Sequence, residues 1–205
     1  MARKSLIMQL ALATIIGMPM VALIIDRFSE TVDLRTSLIG NGILWQQLLY
    51  GLIEGIVIAV IAQLIISSPL MSKINSSYAN LLGRFNLTAS EVVFVSLCAG
   101  VGEEILFRGA LQPLLGVAFT AVFFVAIPGY LNPRNWRLSV YGVYMAIAIT
   151  VLGIVSERIG LLSAIVAHTV IDIYLIYHLQ RASKDIAFVE NPDLKDDEEN
   201  NEDQY

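Results

Sequence analysis

The sequence predicts an all-α fold, a polytopic transmembrane helix bundle of about six spans. Three observations point there. The residues Ala, Val, Ile, Leu, Met, Phe, Trp, Tyr and Cys make up 56% of the 205 residues and charged residues 15%, against roughly 25% charged in soluble domains. The mean hydropathy is +0.68. The apolar residues also fall in long runs, close to the roughly 20 residues that cross a bilayer. Such a chain is not disordered, and 13 basic against 18 acidic residues leave no basic surplus for nucleic acid.

Taken in order, residues 5–25 carry no charge, and residues 44–66 are apolar apart from Glu54. Residues 89–107 are apolar apart from Glu91, Glu103 and Glu104. Residues 109–133 are charge-free and read as a short helix followed by a span ending near Pro128. Residues 138–156 are charge-free, and residues 160–177 hold only His168 and Asp172 as ionisable groups. The first run follows Arg3 and Lys4 as a signal peptide would. It is long, contains Pro19 and lacks a convincing cleavage site, so it reads as a retained span.

The connecting segments set an orientation by the positive-inside rule. Arg3 and Lys4 place the N-terminus in the cytoplasm. The acid-rich segment 26–41 falls outside, and Lys73 and Arg84, without an acid nearby, fall inside. Arg134, Arg137, Arg181 and Lys184 also fall inside, giving an N-in, C-in multi-pass protein. The chain divides into two N-terminal spans with a cytoplasmic loop (1–88), a core of about four spans (89–180) and an acidic tail (181–205). That tail holds three basic and nine acidic residues, a balance of −6. It reads as a solvated, disordered cytoplasmic extension. The terminal NEDQY is not a prenylation box.

Ionisable groups at membrane depth are costly and mark functional sites by default. Glu103, Glu104 and Arg108 lie together in GVGEEILFRG. Glu104 and Arg108 are four apart, share a helix face and can pair, lowering the cost of both. Glu103 lies about 100° around the helix from Glu104. The pattern reads as a structural clamp beside a working carboxylate. His168 and Asp172 are likewise four apart, as in a histidine oriented by a carboxylate. At about 1.5 Å per residue, Glu103 and His168 lie roughly 6 and 10–12 Å below the outer ends of their spans, so they can meet across the bundle. Glu54, near the middle of the second span, reads either as a wall of the same cavity or as a lone carboxyl between helices.

These residues resemble a known family. Glu103-Glu104-Ile105-Leu106-Phe107-Arg108-Gly109 is similar to EExxFRG, and His168-Thr169-Val170-Ile171-Asp172 to HxxxN/D. Their order and spacing resemble the CPBP family of intramembrane proteases, which includes the CAAX prenyl endopeptidases and bacteriocin-processing proteins. The likeness runs from about Ala89 to Tyr177, with GALQPLL and SERIGLLSAIVAHTVID also in the family's manner. It implies a membrane-embedded endopeptidase acting on membrane-associated proteins or peptides, with a bacterial cell membrane as the expected setting. By position, Glu103 would activate water, Glu104 and Arg108 would support it, and His168 would act with Asp172 as partner. A zinc ion, if one is used, would take Glu103 and His168.

One motif departs. The family's middle FxxxH corresponds to Phe124-Val125-Ala126-Ile127-Pro128, and Pro128 can neither bind metal nor donate a hydrogen bond. The only other histidine, His178, lies about 15 Å farther along the helix from His168. A metal at this site would fall short of three protein ligands. Two other functions compete with the peptidase. One is a catalytically inactive relative that binds membrane partners; the other is a small transporter using Glu54, Glu103 and Asp172.

The remaining residues suit structural roles. Trp45, Trp136, Tyr50 and Tyr130 fall near span ends, where aromatic residues anchor. Met8, Met18, Met20 and Met145 suit packing, as does the single Cys98, which excludes a disulfide within the chain. The sequon at Asn75 lies in an expected cytoplasmic loop.

Overall fold

The computed structural model describes residues 2–40 and 42–190. Nine α-helices follow one another among them: α1 (Ala2–Phe28), α2 (Leu34–Ile39), α3 (Leu44–Ile66), α4 (Ser72–Gly83), α5 (Ala89–Glu104), α6 (Gln112–Leu115), α7 (Val117–Ala126), α8 (Trp136–Ile159) and α9 (Leu161–Glu190). A 3-10 turn, Pro69–Met71, precedes α4, and a π-helical segment, Ile105–Leu111, joins α5 to α6. The described residues contain no strand, and the all-α fold expected from the runs is the one observed.

Among the described residues, four helices are long and apolar enough to cross a membrane: Lys4–Phe28, Leu44–Ile66, Trp136–Ile159 and Leu161–Ile186. Their outer faces carry bare Leu, Ile and Val, among them Leu10, Ile16, Ile53, Val57 and Ile147. Such surface is stable against hydrocarbon and costly against water, as befits an integral membrane protein. The expected count of about six spans is not established. α5, the π segment and α6 run on from Ala89 to Leu115, about 40 Å at helical rise, but with Glu91, Glu103, Glu104 and Arg108 on board. α7 has 10 residues and covers only about 15 Å.

α7 and α8 form an antiparallel pair. Ala121 and Val125 pack with Ile149, Gly153 faces Val117 and Gly142 faces the backbone of Tyr130. Residues 131–135 therefore run back beside the first turns of α8. Pro128 explains where α7 stops, since it has no N–H for the next helical bond. Gly129, at φ +83°, turns the chain immediately after.

α9 is the central helix, packed against α3, α4, α5 and α8. Small residues let the axes approach, as is usual between membrane helices. A Cβ added at Gly55 of α3 would lie 2.8 Å from the Ala167 carbonyl of α9. On α5, a Cβ at Gly100 would strike the Thr169 hydroxyl. α5 is set in place from its start. Thr88 accepts from the Glu91 N–H at 3.4 Å while the Glu91 carboxylate accepts from the Thr88 N–H at 2.7 Å. Glu91 also pairs with Lys4 of α1 at 2.9 Å.

Two features of the sequence reading fall elsewhere. The loop expected between the second and third spans contains α4, an amphipathic helix with Ile74 and Ala79 buried. The boundary expected at residue 180 lies inside α9, which continues to Glu190; residues 191–205, the bulk of the acidic tail, lie outside the described residues. Tyr130, just past the end of α7, packs against Tyr141 and Tyr78, with ring centroids 5.6 and 6.4 Å away.

Candidate active site

The two motifs meet in the interior. Glu104, at the end of α5, is completely buried. Its Oε1 accepts from His168 Nδ1 of α9 at 2.7 Å. Its Oε2 lies 3.0 Å from Arg108 Nε, close enough for an ion pair but not aligned as a hydrogen bond. Buried charges persist when paired, and Glu104 is paired on both oxygens. The Glu104–Arg108 pairing expected from their i,i+4 spacing is present. The carboxylate that reaches His168 is Glu104, however, and not Glu103.

A carboxylate can only accept, so beside Arg108 the bond to Glu104 places a proton on His168 Nδ1. His168 Nε2 then faces Asp172, whose Oδ2 stands 3.5 Å away. That distance is a charge contact and too long for a good hydrogen bond. Glu103 is half-buried and, among the described residues, makes no hydrogen bond. It lies within electrostatic reach of His168, Asp172, Glu104 and Arg108. The site thus contains one committed carboxylate and one uncommitted carboxylate.

The site is enclosed by residues that the charge pattern does not reveal. Phe124 of α7 stands edge-on to His168, with ring centroids 5.7 Å apart. The Arg108 guanidinium sits over the same ring, 4.6 Å from its centroid, and Phe107 closes the other side at 4.8 Å. Phe124 is the first residue of the degenerate middle motif, so its signal was in the sequence. One helical turn farther, Pro128 is exposed beyond the end of α7. Arg108 lies within the π segment, a local rewinding often found at functional sites.

A pocket of about 200 Å³ lies between α2, α6, α8 and the start of α9, with Arg108 in its wall. Thr36 and Gly40, Ser156 and Glu157, Gln112 and Arg108 line it. Gln112 is held there by donating to the Gly153 carbonyl at 3.1 Å and to Glu157 at 3.0 Å. Outside the helical spans, burial pushes the Tyr130 phenol up to about 12, with the charges of Asp172 and Glu103 acting in the same direction.

The residues present do not fit a zinc site. Among the described residues no three His, Cys, Asp or Glu side chains converge as metal ligands. His168 Nδ1 is already bonded to Glu104, and Pro128 occupies the place of a second histidine. A zinc ion on Glu103 and His168 would lack its third protein ligand.

With this geometry in view, comparison with known proteins finds a likeness to a known family. Residues 85–174 match the family model of the type II CAAX prenyl endopeptidase Rce1-like proteins. The likeness is confined to that segment, from just before α5 to the middle of α9, which holds both motifs. No curated protein and no solved structure matches the chain.

Proposed function

We propose that the protein is a membrane-embedded endopeptidase that hydrolyses peptide bonds of membrane-associated proteins or peptides. The observation that carries this reading is the 2.7 Å bond from His168 to Glu104, which brings the two family motifs into one buried site. Glu103 is the base. It takes a proton from water, and the water oxygen attacks the substrate carbonyl carbon. His168, held through Nδ1–H and protonated on Nε2 as well, donates from Nε2–H toward the charge that develops on the carbonyl oxygen. The C–N bond then breaks, and the proton taken by Glu103 passes to the departing amine. Glu104 and Arg108 do not exchange protons in this scheme; they orient His168.

Pro128 favours a second reading, in which the same interior binds membrane partners without cleaving them. Purified protein in lipid nanodiscs, incubated with a membrane-derived peptide mixture, separates the two. Cleavage products found by mass spectrometry with wild type and lost with Glu103→Gln support the peptidase. Identical product lists from both proteins support the binding role.

A further inference from the structure

The π segment that carries Arg108 is weakly held by its own backbone. Its closing bond runs from the Gln112 N–H to the Phe107 carbonyl, five residues back. The next donor in that series would serve the Arg108 carbonyl, but residue 113 is a proline and has no N–H. Such turns are rare, and the α register is the alternative. Reversion to that register would carry Gln112 about 100° around the helix axis relative to α5.

The Gln112 side chain opposes that rotation. It is buried, and Nε2 spends both of its hydrogens on α8, on the Gly153 carbonyl at 3.1 Å and on Glu157 Oε1 at 3.0 Å. Gly153 makes the approach possible, since a Cβ there would lie 2.7 Å from Gln112 Oε1 and 2.8 Å from Val117 Cγ1. Arg108 precedes Gln112 by four residues. Its Nε lies 3.0 Å from Glu104 and its guanidinium covers Phe124. Both contacts depend on how far the segment is wound between α5 and its anchor on α8.

We propose that Gln112 is a positioning residue of this site. Its two bonds to α8 hold the π register, which sets Arg108 against Glu104 and Phe124 and, through Glu104, fixes the His168 ring. The inference concerns the placement of His168 and does not require hydrolysis, so it can fail or succeed separately from the peptidase reading.

The test uses the full chain in lipid nanodiscs with nitrogen-15 histidine. Two histidines are present, so His178→Gln assigns the spectrum. Wild type should show a far-downfield proton for the His168 Nδ1–H bonded to Glu104. Gln112→Met keeps the side-chain length and removes the donors. It strands no partner, because the Gly153 carbonyl keeps the Ser156 hydroxyl at 2.8 Å and Glu157 is exposed. Gln112→Met should shift or lose the signal and speed hydrogen exchange over residues 107–112. Gln112→Lys supplies donors again and should keep the signal. Gly83→Ala crowds Ser183, about 22 Å along α9 from His168; it should lower the Tm and leave the signal in place. An unchanged signal in Gln112→Met, or an equal loss in Gly83→Ala, overturns the proposal. If Gln112→Met does not fold, Gln112→Lys decides: a folded variant without the signal overturns it.

Discussion

The Phe124 ring touches both halves of the site at once: it stands edge-on to His168 at 5.7 Å and carries the Arg108 guanidinium on its face at 4.6 Å. α7 is too short to cross a bilayer, yet it is the element that covers the His168–Glu104 bond. A desolvated cation over an aromatic face contributes about 2 kcal/mol. Phe124→Leu should therefore lower stability by about 2 kcal/mol, while Phe124→Trp should retain most of it. Denaturant titration in detergent micelles reads the difference, and equal stability of Phe124→Leu and wild type would count against this role.

Pro128 bears on function. Residues 124 and 128 lie one helical turn apart, and Pro128 removes the N–H that α7 needs to continue. Pro128→His should extend α7 by about one turn and present an imidazole on the face of Phe124. The expected outcome is faster cleavage of the peptide mixture than by wild type. An unchanged rate with a longer α7, seen as hydrogen-exchange protection at residues 127–129, would show that the missing histidine is not what limits this site.

The α3–α9 seam makes a paired prediction. Gly55→Ala places a methyl 2.8 Å from the Ala167 carbonyl, with α9 backbone as the obstacle. It should lower the Tm. Gly17→Ala meets nothing within 4 Å and should be neutral or stabilising by up to about 1 kcal/mol, the helix-propensity gain. Equal thermal shifts in the two variants would refute the close packing.

Tyr130 predicts an alkaline effect. Its phenol is pushed up to about 12 from an ordinary 10. The neutral form is favoured in the folded protein, so its contribution is intact below pH 10. It is lost as pH rises toward 12, because the unfolded chain ionises first. The fall in Tm between pH 10 and 12 should be smaller in Tyr130→Phe than in wild type. Parallel curves would show that Tyr130 is not held in its neutral form.

Much of this was legible in the sequence, and the limits are physical. Apolar runs predicted membrane helices because the bilayer imposes length and composition. The Glu104–Arg108 pair followed from i,i+4 spacing, and so did the shared face of His168 and Asp172. Which glutamate meets His168 was not legible. That choice depends on the rotation of α5, set by Gly100 against α9 and Gly102 against α1. The π segment also left no sequence mark, since its i→i+5 bonds follow no residue pattern. α4 is hard to see in the sequence because its polar face resembles a loop when hydropathy is read without helical period.

The central claim is that Glu103, left free by Glu104, activates water for peptide hydrolysis. Its most direct test is a mass-spectrometric survey of new protein N-termini in membranes carrying wild type or Glu103→Ala at matched expression. The account predicts a set of termini present with wild type and absent with the variant, each marking a membrane-associated substrate. Identical termini in the two samples would contradict hydrolysis and leave the interior as a partner-binding site.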